Sequence, residues 1–372
     1  MSNLSNRVKS IIETRQKNDK TDETIKNINK VKEKLDKCSA TLQNILKTKI
    51  SQEKKEKANE LKNKLSKFIN DDVSENVKRL SQLHSRFSRS TLNIGIVGNA
   101  RQGKSTFIQK LTGLSDEEIP AGNGPDCTGA ASIIVNKQPD EGHDAEIEYY
   151  TIDEFLETVQ PYYQKFNVVS PNNLDEFSRP LTELFKVEEL DKNKNTNEFA
   201  FLEKLQKNFD IYRDRLGSRK EWITKSKIRE YTAKSDSFGK PLIFWAAVKK
   251  ATVYCPFPGL EGVPISLGDT PGLGDPSAFA DVAEKRLMKN FAEDIDQVIM
   301  LRLVNVGGIR DDDKKVFRLI GNAIDEIPAE SWSYYLVNLE KEEYKTDEAR
   351  NAIDTQLDGH HPLKPLTTLR RT

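Results

Sequence analysis

Eight consecutive residues, Gly98-Asn99-Ala100-Arg101-Gln102-Gly103-Lys104-Ser105, satisfy the spacing G-x-x-x-x-G-K-[ST], and Thr106 follows them. Residues of these types at this spacing do phosphate chemistry. Two glycines let the backbone curl closely around an anion, so that successive amides and the N-terminus of a following helix face it. Lys104 then reaches the β and γ oxygens of a nucleotide, and the Ser105 hydroxyl is a ligand for Mg²⁺. A plain glycine turn is the alternative. The apolar run Leu92–Val97 before the pattern and the helix-like Phe107–Leu111 after it argue for the phosphate cradle.

Two further groups fit the same chemistry. The run from Val263 to Gly272 is an apolar strand ending in Asp269-Thr270-Pro271-Gly272. A carboxylate at such a strand end holds Mg²⁺ through water, and the Gly272 amide faces the γ-phosphate. Between these elements, Thr128 follows Asp126-Cys127 and precedes another apolar run, Ala131–Val135. A threonine in such a loop completes the metal shell only when the γ-phosphate is present, which makes the loop a sensor of nucleotide state. The expected metal set is therefore Ser105, Thr128 and Asp269, with Mg²⁺ as the cofactor.

These residues need a strand–loop–helix frame to bring them together. About 140 residues separate Thr128 from Asp269, far more than a loop. Helix-like pieces fall at Asp153–Phe166, Asn197–Leu216 and Lys225–Ala233, and a strand at Thr252–Pro256. Tyr149, Tyr150, Phe155, Tyr162 and Tyr163 are read as core. Beyond the DTPG run the pattern predicts helix Ala278–Ala292, strand Gln297–Val304, helix Asp311–Ile324 and strand Ser333–Asn338. Such alternation builds a mostly parallel sheet with helices on both faces.

The first 90 residues are different in kind. All 19 glycines and all 15 prolines lie after position 90, and helices exclude both, at about 1 and 3 kcal/mol per residue. Apolar residues recur at steps of three and four, as Ile28, Val31, Leu35, Cys38, Leu42, Ile45 and as Ala58, Leu61, Leu65, Phe68. Three or four helices packed along these seams are expected, broken at Asn18–Asp22, Thr48–Lys57 and Asn70–Asp72. Thr21 or Asp22, Ser51, and Asp71 or Asp72 are the candidate caps. Residues 1–88 hold 21 Lys/Arg against 12 Asp/Glu, while the whole chain balances at 58 each. The neutral total hides a basic helical segment and an acidic remainder. The segment is either a solvated bundle or a surface for anionic lipid or a partner. The balanced total leaves no bulk field for nucleic acid. Three scattered cysteines, a polar start and the lack of an 18-residue apolar run point to a cytoplasmic chain, peripheral at most to a membrane.

The three site elements, in this order, resemble the dynamin superfamily of large GTPases, and within it the bacterial dynamin-like proteins. The matching segments are GNARQGKSTFIQKLTG (98–113), IPAGNGPDCTGAASIIV (119–135) and ATVYCPFPGLEGVPISLGDTPGLGD (251–275). The resemblance implies an α/β fold: a P-loop GTPase domain with a mostly parallel central sheet, preceded by an all-α, stalk-like segment. The boundaries expected are residues 1–89 for that segment and 90–345 for the GTPase domain. A long helical insert occupies about 136–245, and residues 346–372 form a helix and a disordered tail. The implied activity is binding of Mg·GTP and its hydrolysis to GDP and phosphate, coupling head dimerisation to stalk movement in membrane remodelling. Lys104, Thr128 and Arg101 are the expected catalytic residues, Arg101 as a positive charge supplied within the loop. The implied partners are GTP and GDP, a second copy through the heads, a second dynamin-like polypeptide and an anionic membrane surface.

Three departures keep a rival open. The guanine-reading pattern [NT]-K-x-D is matched at Asn338 alone, since Leu339 and Lys341 replace its lysine and carboxylate; either Glu340 or Glu342 is a candidate substitute, or base choice is relaxed. Leu273 stands where a water-orienting glutamine is found in small GTPases. The stretch after Asn338, with His360-His361 in its tail, leaves no room for the last strand, helix and stalk return. The rival is a truncated or split member: a nucleotide-binding interaction module that does not hydrolyse, or hydrolyses only with a partner. Arg101 is then a solvent-facing loop residue. A P-loop ATPase of another lineage is the third candidate.

Overall fold

A chain of 90 residues without glycine or proline has no local reason to stop being helical, and it stops only where polar turns are forced. The structure is a computed structural model that describes residues 2–48, 51–99, 102–121, 128–184, 196–269, 295–303 and 331–338. The helices expected at Ala278–Ala292, Asp311–Ile324 and Lys345–Leu357, together with Ala100, Arg101, Cys127, Gly272, Leu273 and the histidine pair, lie outside these residues. The chain divides into two units, Asn6–Ser90 and the remainder.

In the helical unit, α1 (Ser2–Lys17), α2 (Thr21–Leu46), α3 (Gln52–Lys67) and α4 (Ser74–Ser88) follow one another. The break expected at Asn70–Asp72 is absent, and Asp71 and Asp72 cap nothing. A π-helical turn, Phe68–Val73, joins α3 to α4 instead. The seam explains it. Half-buried or buried positions run Ala58, Lys62, Leu65, Ile69, Val73, Val77, Leu80 and His84. Three successive steps of four from Leu65 to Val77 would carry an α-helical stripe off its face, and the wider turn absorbs one residue. Helix α2 packs antiparallel against this continuous rod. Lys32 Nζ donates to Ser74 Oγ at 3.4 Å, and His84 Nδ1 lies 2.9 Å from Asp19 Oδ2, at the start of α2. Neither Lys20 nor Ser51, the residues before α2 and α3, makes a side-chain cap.

Only half of the expected seam faces the partner rod. Ile28, Leu35 and Leu42 are half-buried, whereas Val31, Cys38 and Ile45 are exposed; on α3, Leu65 faces inward and Leu61 and Phe68 do not. The apolar stripe is wider than one helix contact, and Lys32 and Lys62 share the inner positions through their stems, beside the small Ser39. Serine at Leu35 or Leu65 is therefore expected to cost about 1–2 kcal/mol in urea unfolding followed by circular dichroism, and serine at Val31 or Leu61 less than about 0.5 kcal/mol.

The second unit is α/β. An eight-stranded sheet has the order β4-β3-β5-β2-β6-β1-β7-β8. The strands are β1 Leu92–Val97, β2 Ser132–Asn136, β3 Ala145–Tyr149, β4 Glu221–Ile223, β5 Val248–Cys255, β6 Ile265–Asp269, β7 Gln297–Leu303 and β8 Ser333–Asn338. The pairs β6–β1, β1–β7, β7–β8 and β2–β5 are parallel; β2–β6, β3–β5 and β3–β4 are antiparallel. β2 lies between β5 and β6, so the Phe257–Leu260 turn is not a simple hairpin. It crosses the end of β2, where Asn136 Nδ2 donates to the Leu260 and Val263 carbonyls (2.6 and 2.9 Å) and Asn136 Oδ1 accepts from Phe257 N at 2.7 Å. Phe257 is completely buried and Leu260 half-buried.

The insert is less purely helical than its periodicity suggests, because β3 and β4 extend the sheet edge. Its helices are α6 (Ile152–Lys165), α7 (Leu174–Phe177), α8 (Asn197–Lys207), α9 (Phe209–Tyr212) and α10 (Ile228–Thr232), after α5 (Lys104–Thr112) of the phosphate motif. The helix expected over Asn197–Leu216 breaks at Asn208. The break turns Phe209 and Tyr212 into the core, where the Tyr212 hydroxyl donates to the Leu205 carbonyl at 3.1 Å. Thr151 opens α6 with a capping box, accepting from Glu154 N while Glu154 Oε2 accepts from Thr151 N. The five aromatic residues at the start of the insert are all buried, as core packing requires.

Candidate phosphate and metal site

The parallel strands β1, β6, β7 and β8 end at one edge of the sheet, and antiparallel β2 begins there. Ile96 pairs with Asp269, Ser132 with Asp269, Val97 with Met300, and Leu303 with Asn338. A crevice outside the carboxyl ends, where connections leave in opposite directions, is where open α/β sheets bind ligands. The chain leaves β1 through α5 and reaches β2 on one side, while β7 lies on the other.

Gly98 turns the chain out of β1. A Cβ there would meet the Leu301 carbonyl at 2.4 Å and Gln102 Oε1 at 2.6 Å, so only glycine fits between the loop and β7. Gln102 is buried, and its Oε1 accepts from Asn99 N at 3.1 Å, closing the loop on itself. Gly103 begins α5 in the left-handed region (φ 81°), which favours glycine. The first intrahelical bond runs from Phe107 N to Gly103 O at 2.7 Å. The amides of Lys104, Ser105 and Thr106 therefore lie on the first turn, which has no carbonyl of its own helix ahead of it. Lys104 is buried and folds over the loop, donating to the carbonyls of Gly98 (3.1 Å) and Asn99 (2.9 Å).

Ser105, Thr128 and Asp269 meet in front of that turn. Ser105 Oγ donates to Asp269 Oδ2 at 2.8 Å and lies 3.3 Å from Thr128 Oγ1. Asp269 is buried, and its Oδ1 has no hydrogen-bond partner. Burial pushes the Asp269 carboxyl above its ordinary value, against the opposing pull of the Lys104 ammonium and the Ser105 and Thr128 hydroxyls. Mg²⁺ takes hard oxygen ligands, bound directly or through its retained waters. Two hydroxyls and a carboxylate at 2.8 and 3.3 Å, all hard oxygens with one buried oxygen unpaired, thus fit that ion. No cluster of three His, Cys, Asp or Glu residues competes for a metal among the described residues.

Asn338 ends β8 on the same edge, two strands from β1. Sequence reasoning missed the groups that hold Thr128. Its backbone bridges to Ala233, while Gly129 N and Ala130 N donate to the Thr232 carbonyl at 2.7 and 3.1 Å. Trp245, completely buried, lies against this loop, and a Cβ on Gly129 would come within 2.5 Å of its Cγ. The glycine after Thr128 was the available signal.

Two outcomes follow. Gly129→Ala drives a methyl into Trp245 and is expected to cost about 1–3 kcal/mol in urea unfolding, with weaker Mg²⁺-dependent ligand binding. Asp269→Asn removes a buried charge, so without ligand the variant is expected to melt no lower than wild type near pH 8. Its advantage shrinks as pH falls through the raised Asp269 value, because the wild-type carboxyl then becomes neutral as well. A thermal melt series carried from alkaline pH down into the ordinary carboxylate range checks the sign.

No protein-family model matches the chain, and neither does any curated protein. Among solved structures the chain is similar to one from an oligomerised bacterial dynamin pair, described as providing a mechanism for the long range sensing and tethering of membranes. Identity is 18% and the TM-score 0.43. The match covers 91% of this chain and 42% of that one, so this chain spans less than half of its length. No helix among the described residues is long and apolar enough to cross a membrane.

Proposed function

We propose that this chain is a dynamin-like nucleotidase that binds Mg·GTP and hydrolyses it to GDP and phosphate. The observation that carries the reading is the convergence of Ser105, Thr128 and the half-paired Asp269 on the first turn of the helix that Lys104 opens. In this reading the loop amides and the α5 N-terminus bind the phosphates, and Lys104 exchanges the Gly98 and Asn99 carbonyls for the β and γ oxygens. Ser105, Thr128 and Asp269 hold the metal, which when bound neutralises charge developing on the phosphates. Water attacks the γ-phosphorus, the bond to the β-phosphate oxygen breaks, and GDP leaves. Arg101 is the candidate for extra positive charge, and Asn338 for the base. The sequence wording of the three elements favours GTP over ATP, and membrane action and pairing of heads belong to the same proposal.

A second reading is favoured by Leu273, which cannot orient water: a chain that binds nucleotide and either does not hydrolyse it or does so only with a partner. Phosphate release from GTP and ATP over a range of protein concentrations separates the two. The proposal expects GTP-selective turnover that rises with concentration, and a Lys104→Ala variant whose nucleotide affinity falls roughly 10–100-fold. Binding without turnover at any concentration establishes the second reading, and ATP preference overturns the choice of base.

A further inference from the structure

The loop that carries Thr128 is held at both ends by the same turn of helix, α10, which belongs to the insert rather than to the phosphate motif. On the entry side Arg229 forms an ion pair with Asp116, whose other oxygen accepts from Ala121 N at 2.6 Å. The Arg229 guanidinium also lies 3.5 Å from the Ala121 carbonyl. On the exit side, the Thr232 carbonyl takes the amides of Gly129 and Ala130. Arg229 and Thr232 are joined by the turn itself, closed by Ala233 N donating to the Arg229 carbonyl at 2.9 Å. One helical turn therefore sets the distance between the two ends of the loop, and through Thr128 it sets the distance to Ser105 and Asp269.

We infer that Arg229 is a positioning residue for Thr128, and that the insert controls metal binding by holding α10 as a frame across that loop. The inference rests on the nucleotide reading above. Arg229 is mostly buried while Asp116 is half open, so the pair is shielded on one side and more constraining than a surface ion pair. Lys225, at the entrance to α10, pairs with Glu117 and Glu118 on the same entry side and adds to the frame. None of these groups lies in the phosphate cradle, so the cradle and the frame are separable by mutation.

The test uses the full chain with Arg229→Ala, Asp116→Asn and the exchanged pair Asp116→Arg with Arg229→Asp, each checked for wild-type circular dichroism. GTP affinity in excess EDTA is expected to stay within about twofold, since it reads the cradle. The Mg²⁺ concentration that half-saturates the metal-dependent gain in GTP affinity is expected to rise about 10-fold in both single variants, as for other residues that orient metal ligands. It should return towards wild type in the exchanged pair. Amide exchange at Gly129 and Ala130 in the nucleotide-free chain is expected to quicken in the single variants alone. Unchanged Mg²⁺ dependence and unchanged exchange overturn the inference, and so does an equal fall in affinity with and without Mg²⁺, which marks general damage. Wild-type protein that binds no GTP overturns the nucleotide reading instead, and the exchange measurement then still decides whether Arg229 holds the loop.

Discussion

The α/β unit depends on a carboxylate placed where it is costly. Asp269 ends a buried strand with one oxygen held by Ser105 and the other unpaired, and its charged form is penalised by burial. Such a group weakens a fold unless something of opposite charge comes to it. The register makes the arrangement possible: Ile96 of β1 and Ser132 of β2 flank Asp269 from opposite sides. The strand that leads into the phosphate loop and the strand that follows Thr128 thus deliver their side chains to the same point. If either pairing slipped by one residue, the alternation of side chains would turn the carboxylate to the opposite face of the sheet.

The position of β2 between β5 and β6 is the topological price of that convergence. A chain running directly from β5 to β6 would leave Thr128 at a distance; passing around the end of β2 instead requires a stopper. Asn136 is that stopper, giving three hydrogen bonds to the crossing segment. On the opposite end of β2, Thr232 and Trp245 of the insert fix the loop that carries Thr128. The insert thereby serves the site from outside it, with Ile228 and Tyr231 of α10 buried and Tyr231 stacked on Phe244.

The helical unit shows a different balance. Its rod keeps one face toward α2 from Ala58 to His84 only because a π-turn removes the drift of an off-period seam. Its apolar stripe nonetheless exceeds the width of the contact, leaving Val31, Ile45, Leu61 and Phe68 in water. The pattern of apolar spacing registers helix formation and stripe width, but the direction in which a stripe is buried depends on how many neighbours arrive.

Much of the site was legible in the residues themselves. Gly98, Gly103, Lys104 and Ser105 are tied to one another by local backbone geometry, and strands β1, β2, β6, β7 and β8 announce themselves as short apolar runs, so spacing along the chain suffices to find them. The aromatic core of the insert was equally visible, because large rings at helical spacing have few other uses. What the chain could not disclose is which surfaces outside the motif residues come together. The hold of Thr232 and Arg229 on the Thr128 loop, the extra strands β3 and β4, and the exposed half of the seam all depend on which surfaces meet. Local sequence determines what a segment is able to form and what chemistry it carries; the tertiary structure alone decides which segments share a hydrogen bond, because that choice is made by packing across the sheet and not by neighbours along the chain.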